Sequence, residues 1–175
     1  MTIRSLLLMT VLVVLAAWAS AQEIPRPSVP DQIKAPANEE VILAAHATGS
    51  QIYTCALTDG AAAWKLKAPD AELRDSQGII GHHFAGPTWK HNDGSEVIGK
   101  AVAKVDSPDK DSIPWLLLTA TGHSGNGALS RVTSIQRIHT KGGNPPAAAD
   151  CSASKQNVEA RSAYTADYYF YAPAK

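Results

Sequence analysis

The sequence predicts a single all-β domain, a β-sandwich or a distorted β-barrel of about nine or ten short strands. Three observations predict it. Runs rich in β-branched and aromatic residues follow one another from Glu40 onward, each stopped by a turn signal. No stretch carries the apolar period of a helix of convincing length, and no internal repeat is present. Two cysteines, Cys55 and Cys151, stand 96 residues apart, an even count that suits a disulfide in an exported domain.

The N-terminus reads as an export signal. Arg4 supplies a positive start, Leu6 to Ala17 form an apolar stretch, and Ala19-Ser20-Ala21 fits a small-x-small cleavage site. The apolar stretch is too short for a membrane span, because Glu23 and Pro25 follow closely. A signal peptide over residues 1–21, a Pro-rich leader over 22–39 and a single all-β domain over 40–175 are therefore expected. The address is secreted or periplasmic, with no membrane span after cleavage. In the leader, Pro25, Pro27, Pro30 and Pro36 each push the preceding residue toward an extended conformation.

Within the domain, Val41–Ala47 reads as a strand ended by Thr48-Gly49-Ser50, and Gln51–Leu57 as one ended by Thr58-Asp59-Gly60. Trp64–Lys67 stops at Pro69; Gly78–Phe84 and Thr88–His91 follow, the latter closed by Asn92-Asp93-Gly94-Ser95. Glu96–Val105 alternates most clearly, with Val97, Gly99, Ala101, Ala103 and Val105 on one side. Ile113–Ala120 is a continuous apolar run around Trp115, which is expected in the core. Leu129, Val132, Ile135 and Ile138 recur every third residue, as in a helix, but Val, Thr and Ile favour a strand there. Tyr164–Tyr171 closes the series. A Cys55–Cys151 bridge would restrict the unfolded chain by about 4–5 kcal/mol.

Composition narrows the function classes. Lys+Arg 16 balance Asp+Glu 16, with 18% charged and 45% hydrophobic residues. Disorder requires lower hydrophobicity and more net charge, and a nucleic-acid partner requires a basic excess, so neither fits. The one Gly-rich turn, Gly122-His123-Ser124-Gly125-Asn126-Gly127, lacks the Gly-x-Gly-x-x-Gly spacing and following helix of a dinucleotide site, so no NAD is expected. It also fails as a nucleophile elbow, since Asn126 stands where the second Gly belongs.

Several longer motifs resemble a known family. They are Gly49-Ser50-Gln51-Ile52-Tyr53-Thr54-Cys55, Gly81-His82-His83-Phe84-Ala85-Gly86-Pro87-Thr88-Trp89 with Asp93-Gly94-Ser95, and Ile113-Pro114-Trp115-Leu116-Leu117-Leu118. Val132 to Arg137, Thr140-Lys141-Gly142-Gly143 and Tyr164 to Tyr171 extend the likeness. Together they resemble the secreted, uncharacterised family called domain of unknown function 3455. The resemblance implies secretion and supplies no activity. Some relatives carry a malate dehydrogenase label, which the missing dinucleotide fingerprint does not support.

The segment from His83 to Ser95 carries the most chemistry, and His83, Trp89, His91 and Asp93 are the ligand-binding candidates. Trp89, flanked by Lys90-His91-Asn92-Asp93, is expected to be half exposed and able to stack on sugar or aromatic rings. His82 and His83 point to opposite faces of a strand, so they do not share an ion; His83 is the one metal-ligand candidate. No catalytic set is visible. The expected role is a non-catalytic binding or envelope-associated module, with glycan or cell-envelope material as the candidate partner. A metal-dependent or hydrolytic enzyme using His83, and a structural surface protein, are the alternatives.

Overall fold

A computed structural model describes residues 23–175, so the signal peptide expected over residues 1–21 lies outside the described residues. Eight antiparallel strands pair in chain order, and the last pairs with the first, so a single sheet closes into a ring. The strands are β1 (Glu39–Thr58), β2 (Ala61–Asp75), β3 (Gly78–Phe84), β4 (Thr88–His91), β5 (Glu96–Val105), β6 (Trp115–Ser124), β7 (Ser134–Gly142) and β8 (Glu159–Pro173). The outcome is the barrel of the two expected architectures, with eight strands in place of nine or ten.

The strand count falls because one expected break is not a break, and an expected stop lies inside a longer strand. Thr48-Gly49-Ser50 continues β1, and Gly49 is there for contact: a Cβ on it would sit 2.1 Å from the Asp70 carbonyl oxygen. Pro69 lies inside β2, opposite Gln51. Pairing of β2 with β3 starts only at Ala71, so Pro69 has no second neighbour to which it owes an N–H. By contrast, Asp59-Gly60 is a true hairpin loop, with both φ angles positive (51° and 81°).

The run with threefold spacing divides. Leu129 and Val132 are fully buried in the loop before β7, and only Ile135 and Ile138 belong to the strand. Bulges at Ile52/Tyr53, Ile98/Gly99 and Ile138/Lys141 bend the long strands around the ring.

Inward residues of all the long strands form the core, chiefly Leu73, Trp89, Val97, Leu118, Ile135, Tyr168 and Phe170. Trp115 is only half buried, set edge-on against His139 with ring centroids 5.3 Å apart, and so is not the core residue the apolar run suggests. Residues 23–38 lie along the barrel. Ile33, in a short 3-10 turn (Asp31–Ile33), is fully buried, and its carbonyl accepts a 2.6 Å hydrogen bond from Gln136 Nε2. Arg26 donates to the carbonyls of Ala35, Pro36 and Glu39 and covers the Tyr171 ring.

The disulfide joins Cys55, near the end of β1, to Cys151 in the long connection from β7 to β8, with Cα atoms 5.4 Å apart. Backbone bonds from Cys55 N to Val158 O and from Asn157 N to Cys55 O hold the same connection.

Candidate functional site

Strand alternation decides what enters the ring. On β3, His82 points out, near Asp70 at 3.6 Å, while His83 points in and is buried. Trp89 on β4 is the direct cross-strand partner of His83 and must face the same way. The two rings stack in parallel, with centroids 4.3 Å apart and planes within 6°. Tyr168 from β8 meets both edge-on, at 5.2 Å and 5.4 Å, and Phe170 closes on Trp89 at 6.1 Å. Trp89 is therefore 1% exposed, and the half-exposed indole expected from its polar neighbours is corrected. Lys90 takes the outward place instead, paired with Glu96. An exposed ring for stacking on sugars is not available at this position.

Burial and one hydrogen bond fix the state of His83. Its Nδ1–H donates to the Thr88 carbonyl at 2.9 Å, so Nε2 is an acceptor. Loss of water pushes its pKa down to about 3, so the imidazole is neutral at ordinary pH. Burial likewise pushes the Tyr168 hydroxyl up, against the opposing pull of the Arg137 charge.

Above this aromatic layer the barrel opens into a cavity of about 590 Å³. Every strand contributes: Gln51, Leu66 to Pro69, His83, Trp89, Gly99 to Ala101, Leu116 and Leu118, Arg137 and Tyr168, with Gly86 and Pro87 of the β3–β4 turn at the rim. The volume lies in the range of small-molecule sites, about 300–1,000 Å³. Three of the buried lining residues carry polar atoms without a hydrogen-bond partner: Gln51 Nε2, Trp89 Nε1 and the Tyr168 hydroxyl.

His91 and Asp93 are not part of this cavity. His91 ends β4 and Asp93 sits in the turn after it, at the opposite end of the barrel from the turn after β3. Asp93 accepts from Ser95 N (2.8 Å), Ser95 Oγ (2.6 Å) and Ala128 N (2.7 Å), and His91 Nδ1 lies 3.0 Å from its Oδ2. The Ala128 amide first, and then the Ser95 hydroxyl, hold its carboxyl well below the usual carboxylate range. This carboxylate ties the β4–β5 turn to the loop after β6 and closes that end of the barrel. The four candidates thus separate into His83 and Trp89 at the cavity, and His91 and Asp93 in a structural knot.

Among the described residues, no group of three or more His, Cys, Asp or Glu side chains is placed to hold a metal ion, and the ring neighbours of His83 are aromatic. The His123 ring engages the Val132 carbonyl at 2.7 Å rather than its neighbour Ser124. Gln51, Arg137 and Tyr168 are the site residues that sequence reasoning passed over. A polar residue within a strand reads as solvent-facing until ring closure shows which face is inside.

Fold and site together define an eight-stranded, disulfide-tied antiparallel barrel with a cavity at one end, floored by stacked His83 and Trp89. The chain belongs to the family described as Protein of unknown function (DUF3455), which matches residues 36–79 and 75–172. The malate dehydrogenase label is not supported, since a dinucleotide fold is built on parallel βαβ units and this sheet is antiparallel throughout. No curated protein and no solved structure matches the chain.

Proposed function

We propose that this protein is an exported, non-catalytic binding module that holds one small, largely apolar molecule in the open end of its barrel. The observation that carries the reading is the cavity itself, to which every strand contributes, with three buried polar atoms at its wall left without partners. An eight-stranded barrel is about the size at which the interior is either filled by side chains or holds one small ligand. Here the closed end is filled and the other is not. The lining offers no Ser or Cys nucleophile and no carboxylate, which favours binding over hydrolysis at His83. Export is supported by the signal read in residues 1–21 and by a disulfide that belongs to an oxidising compartment. Among the described residues, no helix is long and apolar enough to cross a membrane.

The test is a ligand screen by protein-observed NMR, using small cyclic molecules of both neutral and anionic kinds. Saturable shifts confined to Gly86, Gly99, Arg137 and their neighbours are the expected result. Shifts scattered over the outer face, or none from the whole set, would refute the reading.

A further inference from the structure

Arg137 projects from β7 into the cavity, between its cross-strand partners Leu116 and Tyr168. It is half buried, and its Nε and Nη2 both donate to the Pro114 carbonyl, at 3.3 Å and 2.9 Å. That contact fixes one edge of the guanidinium and leaves Nη1 unused. Among the described residues no carboxylate pairs with it, although six other Lys or Arg side chains do pair with carboxylates.

A positive charge drawn partly out of water is costly unless an anion or a set of acceptors meets it. The rest of the lining deepens the imbalance. Lys100 stands exposed at the rim without an ion-pair partner, Lys67 is engaged by Glu159, and the lining contains no Asp or Glu. Gln51 Nε2 and the Tyr168 hydroxyl, both nine-tenths buried or more, add idle donors to the same wall. The wall is thus rich in donors and positive charge, over a floor of stacked rings.

We infer that the barrel mouth recognises a small monocarboxylate with an apolar ring body, the ring lying in the mouth above the buried His83–Trp89 layer and the carboxylate docking on Arg137 with help from Gln51 and Tyr168. The inference rests on the proposed binding role and adds the charge of the occupant. A guanidinium held by one edge presents its remaining N–H groups in a fixed direction, which suits a planar carboxylate better than a point anion.

The experiment compares benzoate and 2-naphthoate with benzamide and 2-naphthamide, acids and amides of the same shape, titrated calorimetrically into the full mature protein at pH 7. The acids should bind about ten- to a hundredfold more tightly than their amides, the range for adding a charge to a hydrogen bond. Acid affinity should fall as pH approaches the ligand's own carboxyl pKa, while amide affinity stays flat. R137Q should bring the acid down to the amide's level, and R137K should keep part of the difference. If R137Q fails to fold, the wild-type acid–amide comparison still decides. Equal affinity of acid and amide would overturn the carboxylate inference and leave the cavity reading standing. No binding by any of the four would count against both.

Discussion

Trp89→Ala removes the largest fully buried side chain of the barrel. The ring stacks on His83 at 4.3 Å and meets Tyr168 and Phe170 edge-on, so truncation breaks three aromatic contacts at once. Truncating a buried aromatic costs about 3–5 kcal/mol. The lower half of that range is expected, because Trp89 borders a cavity of about 590 Å³ that water can enter, so part of the new space need not stay empty. At about 2–4 °C per kcal/mol for a domain of this size, the melting temperature should drop by roughly 6–16 °C. Urea unfolding followed by circular dichroism measures the free energy. Trp64→Ala is the control: that ring is partly exposed, with one 3.2 Å bond to the Ala147 carbonyl, and its loss should cost about 1 kcal/mol. If Trp89→Ala melts within a degree or two of the wild type, the aromatic floor contributes little and the packing argument is wrong.

Other perturbations test the remaining parts. The mature protein should titrate no free thiol in denaturant without reductant, and Cys55→Ala should cost about 2–5 kcal/mol by the same unfolding assay. Asp93→Ala should cost about 1–3 kcal/mol by removing the acceptor for Ser95 and Ala128, yet leave ligand affinity unchanged because Asp93 does not line the cavity. Asp93 is held below its unfolded value of about 3.9, so its contribution is present above that pH and is lost as pH falls toward the folded value; the acid limb of the wild type should be steeper than that of Asp93→Asn. His83 has a folded pKa of about 3 against about 6.5 unfolded, so stability should decline as pH drops through that window, and His83→Gln should flatten the decline. An NMR titration that finds His83 protonating near pH 6.5 would contradict its burial. Gly99→Ala places a Cβ 2.9 Å from Trp89 Cζ3; it should cost about 1–3 kcal/mol and weaken ligand binding by narrowing the mouth.

Much of the strand layout is legible along the chain, because local chemistry sets it. Gly78–Phe84, Thr88–His91 and Glu96–Val105 stand between Asp-, Asn- and Gly-rich turns, and the strands β3, β4 and β5 have these bounds. What misleads is a residue whose role is tertiary. Gly49 looks like a turn glycine and is instead a point of strand contact, and Pro69 looks like a terminator until β3 proves too short to reach it. The site divides in the same way. The His83–Trp89 segment stands out by residue type, but exposure follows from strand parity, which places Trp89 with His83 inside and Lys90 outside. Arg137 gives no signal of its own, since nothing next to it along the chain shows that its strand face points inward.

The two ends of the barrel have opposite designs, and each makes sense of the other. At the closed end Leu129 and Val132 plug the ring, and Ser95, fully buried, accepts from Leu129 N while donating to Asp93. Most polar groups there are matched, Glu39 Oε2 beside Thr133 being a buried exception. At the open end Gly99 and Ala101 on β5 and Ala68 on β2 keep side-chain volume low at the wall, where larger residues would fill the space. An interior that was merely under-packed would leave an apolar void. This one leaves unpartnered donors and a guanidinium without a counter-ion around the space, groups whose isolation costs stability unless something else meets them. A tightly bonded base lets the sheet tolerate that imbalance at its mouth, and the imbalance in turn specifies the polarity of what can enter.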